Sequence, residues 1–159
     1  MTRVIDRRSL LMGAAAFGAL ASTSALAAQK PVRRFSNGRK GDRANEGYDA
    51  TAYFTAGAAA PGDAAFEHEW ESAIWRFRDE AARALFEAAP ETYAPQFGGY
   101  CANAMSMKKV VPANPEVWRI RDGKLYLFAA KPGGVKFDKD PEAMIAKAEA
   151  FWKTLKFVG

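Results

Sequence analysis

The sequence predicts an α+β domain: a small antiparallel sheet built from two hairpins and a linking strand, with a central and a C-terminal helix packed on it. Three observations carry this. The segment EVWRIRDGKLYLFA holds Asp122-Gly123, a favoured two-residue hairpin turn, and places Trp118 and Ile120 opposite Leu127 and Leu125. FEHEW and AIWRF alternate with period 2 on either side of Glu71-Ser72. DEAARALFEAAP and DPEAMIAKAEAFWKTL carry helical spacing, one closed by a proline and the other opened by one.

Taken in chain order, Asp49 caps a short helical turn running through Phe54, and Gly57 stops it. In the first hairpin a two-residue loop sets His68 opposite Trp75, Phe66 opposite Phe77 and Glu67 opposite Arg76. Phe66, His68 and Trp70 then share one face, and Glu67 and Glu69 the other. Glu-Ser is an unusual pair for such a turn. A helix from about Asp79 to Ala89 turns Leu85 and Phe86 inward and ends at Pro90. YCANAMSM, residues 100–107, reads as the linking strand, with a short helix as the alternative. Asp140 caps the last helix, whose apolar stripe is Met144, Ile145, Ala148, Phe151, Trp152 and Leu155. The chain reads without internal repeat or low-complexity segment.

Residues 1–27 read as an export signal. Arg7 and Arg8 precede a weakly apolar run rich in Ala, Gly and Ser, which closes on the small-x-small exit Ala25-Leu26-Ala27. The arginine pair followed by Ser-Leu-Leu matches a twin-arginine signal, with a general secretion signal as the alternative. The expected partner is the twin-arginine export machinery and the expected compartment the periplasm, with no stable membrane anchor after cleavage.

The whole chain carries a formal +5, and loss of Arg3, Arg7, Arg8 and Asp6 with the signal leaves +3. Residues 28–45 read as a basic flexible arm containing Lys30, Arg33, Arg34, Arg39, Lys40 and Arg43. From residue 44 onward 14 basic residues face 16 acidic ones. The basic pI therefore belongs to the signal and the arm, which argues against a nucleic-acid-binding face on the domain at 46–159.

GYDATAYF at 47–54, FEHEW, AIWRF and the helix leading into FEAAPETYAPQFGGYCA resemble, in order and spacing, the YHS-domain proteins. The likeness is to their exported single-domain branch, the YHS domain-containing (seleno)proteins, and covers roughly residues 46–156. The resemblance implies heavy-metal handling, with cysteines near the start of the domain and after the second strand as presumed ligands. Here Tyr53 and Arg78 stand in those regions and Ala50 replaces a common proline, so the resemblance alone supplies no ligand set.

The chemistry-bearing candidate is Cys101, the only cysteine. On a strand it shares a face with Asn103, Met105 and Met107; on a helix it lies one turn from Met105. Soft sulfur donors suit a copper ion, and His68, the only histidine, supplies the one imidazole. The expected metal set is therefore Cys101, His68, Met105 and Met107, serving copper-type binding, with a periplasmic metal or thiol partner. The second expectation is thiol redox at Cys101, favoured by Gly98, Gly99, Lys108 and Lys109 and needing an outside resolving thiol. The third is a non-catalytic binding module with an aromatic pocket drawn from Tyr48, Tyr53, Trp70, Trp75, Tyr93, Phe97 and Tyr100. Core packing competes with each: free cysteines are mostly buried, and methionines fill gaps. Hydrolase chemistry has no nucleophile turn to rest on.

Overall fold

Two left-handed turns organise the chain. In the computed structural model, which describes residues 30–39 and 41–158, Asn45, Glu46 and Gly47 have φ of 54°, 55° and 78°, and Phe97, Gly98 and Gly99 have 54°, 60° and 78°. From each turn the same path follows. Tyr48 bridges Pro61, and Tyr100 bridges Pro112. The Asp49 N–H donates to the Ala60 carbonyl at 2.9 Å, and the Cys101 N–H to the Val111 carbonyl at 2.8 Å. Short helices come next, α1 (Ala52–Thr55) in the first copy and α4 (Ala102–Ser106) in the second.

The hairpins repeat as well. β2 (Asp63–Trp70) pairs with β3 (Ala73–Phe77), and β4 (Asn114–Arg121) with β5 (Lys124–Phe128). Asp63 faces Phe77 and Glu67 faces Arg76; Asn114 faces Phe128 and Trp118 faces Leu127, with a bulge in the same place in each ladder. Helices α2 (Glu80–Ala88) and α5 (Lys131–Lys139) follow, then α3 (Pro90–Tyr93) and α6 (Pro141–Trp152), both opened by proline. The domain is thus two copies of one turn–hairpin–helix unit, and the expectation of no internal repeat is corrected. Few residues are shared, but each packs where a side chain is specified by geometry. Phe86 stacks on Trp75 and Phe77 at 4.9 and 5.0 Å between ring centres; Phe137 does the same on Tyr126 and Phe128 at 5.1 and 5.3 Å.

The α+β class holds, with both hairpins and both helices present, but Leu85, expected inward with Phe86, is 38 % exposed. The hairpins form separate two-stranded sheets, and a third, parallel pair joins β1 (Val32–Arg33) to β6 (Phe157–Val158). The linking strand expected over 100–107 is corrected to helix α4. The Cys101 N–H is the last ladder-like donor, and the Cys101 Sγ then accepts from the Ala104 N–H at 3.4 Å, starting a helical turn. The expected Phe66–Phe77 pair is replaced by Asp63–Phe77, because the bulge between Asp63 and Glu67 inserts residues that alternation does not register. Glu71 and Ser72 both adopt positive φ, 51° and 58°, as Asp122 and Gly123 do at 50° and 70°. Helix α5 had no sequence signal, since KPGGVKFDK is weak in helix formers. Its glycines admit close approach: a Cβ at Gly133 would lie 3.3 Å from Phe128.

The arm expected to be flexible is instead docked over its described residues. Val32 N–H donates to the Lys156 carbonyl at 3.0 Å, Tyr100 Oη to the Arg33 carbonyl at 3.1 Å. Ser36 then ties the two turns together, donating to the Gly98 carbonyl at 2.7 Å and accepting from the Asn45 N–H at 3.0 Å. Phe35 lies in the first core, 5.0 Å from the Trp75 ring. The expected signal at 1–27 lies outside the described residues. No helix among the described residues is long and apolar enough to cross a membrane.

Two cores result. The first gathers Phe35, Trp75, Phe77 and Phe86; the second gathers Phe97, Cys101, Met105, Leu125, Leu127 and Phe137. Tyr53 crosses from the first copy into the second core. Its ring meets Trp118 at 5.4 Å, and its hydroxyl donates to the Pro115 carbonyl at 3.0 Å and accepts from Asn45 Nδ2 at 3.3 Å. Burial pushes that hydroxyl well above the usual tyrosine range.

Candidate functional site

Cys101 occupies the position that Asp49 holds in the first copy. The Asp49 carboxylate is fully buried and accepts from the Thr51 N–H at 2.8 Å, the Thr51 hydroxyl at 2.7 Å and the Arg78 N–H at 3.3 Å. Cys101 is 3 % exposed as a residue, and its thiol accepts from the Ala104 N–H. Both side chains close the turn that launches a short helix. The thiol therefore does a cap's work, as Ser or Asp does elsewhere.

The four residues expected as copper donors are distributed as follows. Cys101 and Met105 are buried together in the second core, one turn apart on α4. Met107 is 50 % exposed at the end of that helix. His68 lies on the first hairpin, its ring edge-on to Phe86, with Nδ1 3.1 Å from Glu87 Oε1. The fold thus brings two of the four into one core and leaves His68 engaged with the other. Among the described residues no three His, Cys, Asp or Glu side chains are grouped to hold a metal. The four expected donors are not gathered into one site: Cys101 and Met105 are buried, Met107 is exposed and His68 faces Glu87.

A thiol that reacts must be reached by its partner, and a cysteine sealed in apolar surroundings is inert. The second-core position of Cys101 accordingly gives the redox expectation little to stand on.

The first hairpin carries its charge on one face. Glu67 Oε1 accepts from Arg43 Nε and Arg76 Nε, both at 2.7 Å, and the two guanidinium groups hold the Glu67 carboxyl below the usual glutamate range, the hydrogen bond from Arg43 first. Glu67, held by two arginines, serves the scaffold on this face.

The junction of the two copies is different. An open cleft of about 190 Å³ lies there. The docked N-terminal segment supplies Arg34 and Phe35, β2 supplies Trp70, and α3 supplies Glu91. Ala94 to Gly98 form the floor, and Trp152 of α6 closes the far wall. The Arg34 guanidinium lies over the rings of Phe35 and Phe157, 5.9 and 6.0 Å from their centres, with Nε 2.9 Å from Glu71 Oε2. Trp152 also packs on Phe97 at 6.1 Å and on Phe157 at 4.4 Å. The Gln96 carboxamide and the indole N–H groups of Trp70 and Trp152 have no hydrogen-bond partner among the described residues. Aromatic lining with a few unused polar groups is a common make-up of a small-ligand site.

Of the aromatic residues expected in a pocket, Trp70 and Phe97 line this cleft. Tyr53 and Trp75 are core, and Tyr93 packs edge-on against Phe54 at 5.4 Å. Arg34, Glu91, Gln96 and Trp152 were missed. Arg34 sits in a basic run that looks like a tether, and nothing local in the sequence announces that this run folds back between two repeats. Comparison with family models, with curated proteins and with solved structures finds no match to this chain.

Proposed function

We propose that this chain is an exported, YHS-type binding module that holds a small ligand in the cleft between its two copies. The single observation that supports the reading is the cleft itself. It is the place where both copies and the N-terminal segment present polar groups that the fold does not use, and aromatic faces beside them. The groups elsewhere that suggested chemistry are used structurally: Cys101 as a cap, His68 with Glu87, Glu67 with two arginines.

The test exploits the four tryptophans of the chain. The protein, labelled with ¹⁵N, is titrated with a panel of small amines, carboxylates and amino acids. Binding in the cleft shifts the indole N–H resonances of Trp70 and Trp152 and leaves that of Trp75 in place, because Trp75 is 1 % exposed in the first core. A panel that moves none of these signals, or moves only residues away from the cleft, overturns the proposal.

A further inference from the structure

We infer that the ligand of the junction cleft is a small zwitterion, an ammonium–carboxylate molecule of the size of a betaine or a small amino acid; this rests on the binding-module reading above. The cleft carries one fixed charge of each sign. Arg34 and Glu91 both line it, and they do not pair with each other: the ion pair of Arg34 is with Glu71, through Nε, and Glu91 has no ion pair among the described residues. The terminal guanidinium nitrogens of Arg34 are planar donors suited to a carboxylate. Glu91 offers the matching carboxylate to an ammonium, and Trp70 and Trp152, which also line the cleft, are the residue type that attracts a cation most strongly.

The opposed charges also act as a filter. A simple cation is drawn to Glu91 but repelled by Arg34, and a simple anion meets the reverse. Only a molecule carrying both charges satisfies both residues at once. The cleft, about 190 Å³, is smaller than the roughly 300–1,000 Å³ of most ligand pockets. A molecule of the size of proline or glycine betaine suits it.

Calorimetry and tryptophan fluorescence with four probes test this: glycine betaine, L-proline, choline and propionate. The expected result is that the two zwitterions bind at least about tenfold more tightly than choline or propionate, and that Glu91→Gln removes that advantage. Glu91 is exposed and has no ion pair among the described residues, so the variant keeps the wild-type melting temperature. Arg34→Gln is expected to lower zwitterion affinity while leaving choline unchanged or improved. If choline or propionate binds as tightly as betaine and remains sensitive to Glu91→Gln, the zwitterion class is overturned while the binding module stands. If the zwitterions do not bind, the class is likewise overturned, and the indole titration with the wider panel then decides the module on its own.

Discussion

Gly98→Ala is expected to destabilise the domain by at least about 3 kcal/mol, lowering the melting temperature by roughly 10 °C. Gly98 has φ +60°, and a Cβ added there would lie 1.8 Å from the carbonyl oxygen of Arg34 and 3.1 Å from Trp152. The left-handed conformation alone costs a non-glycine residue about 1–2 kcal/mol. The clash adds more, because the obstacle is backbone. Either the turn must open or the N-terminal segment must lift, breaking the hydrogen bond from Ser36 N–H to the Gly98 carbonyl. The counterpart in the first copy makes the control. Glu46 has nearly the same φ, 55°, and already carries a full side chain there. Glu46→Gly is expected to be nearly neutral. Equal melting temperatures for Gly98→Ala and the wild type would mean that residues 32–36 do not pack over the second turn, and the cleft would lose Arg34 and Phe35 with them.

Phe86→Ala and Phe137→Ala are each expected to cost about 3–5 kcal/mol in urea unfolding. Phe86 is 0 % and Phe137 3 % exposed, and each is the helix residue that fills the hairpin of its own copy. Phe86 should be the more costly of the two. It is surrounded by Trp70, Trp75 and Phe77, with His68 at its edge, whereas Phe137 meets Tyr126 and Phe128. Leu85→Ala, one residue before Phe86 and 38 % exposed, is the reference and is expected to cost well under half as much. A loss below about 1 kcal/mol at Phe137 would mean that α5 is not the structural counterpart of α2.

The hairpins and the C-terminal helix were legible because each is written in local signals. Asp122-Gly123 fixes a turn, Asp140-Pro141 opens a helix, and alternation sets the face of Trp118 and Leu127. The duplication was not legible by ordinary similarity, yet a signal exists. GYDATA and GYCANA share Gly, Tyr and two alanines at one spacing. Phe77, Phe86 and Pro90 are likewise spaced as Phe128, Phe137 and Pro141 are. These are the positions where the unit's geometry dictates the residue: the left-handed turn, the ring stack and the helix start. Everything between them was free to diverge.

Divergence also explains why α4 was read as a strand and α5 not at all. Cys101 stands where the first copy has Asp49, a residue readable as a cap; a thiol gives no such hint. In α5 the two glycines that lower helix propensity are needed for Asn103, Phe128 and Arg119 to approach. Tertiary packing decided both segments against local preference. The candidate site was the least legible part. Its residues come from five separate places in the chain, and they meet only because residues 32–36 run between the two copies.

That Cys101 belongs to the scaffold, leaving function to the junction, is the claim on which the account turns, and its reactivity with a thiol reagent tests it most directly. Labelling of the folded protein with a chromogenic disulfide is compared with labelling in denaturant. With Cys101 buried, 3 % exposed, and its sulfur accepting the Ala104 N–H, reaction must wait for the second core to open. The account predicts a native rate at least about a thousandfold below that of the unfolded chain, rising with urea in step with unfolding. Rapid, complete labelling of the native protein, within about tenfold of the unfolded rate and independent of urea below the transition, would contradict it and return Cys101 to the position of a reactive site.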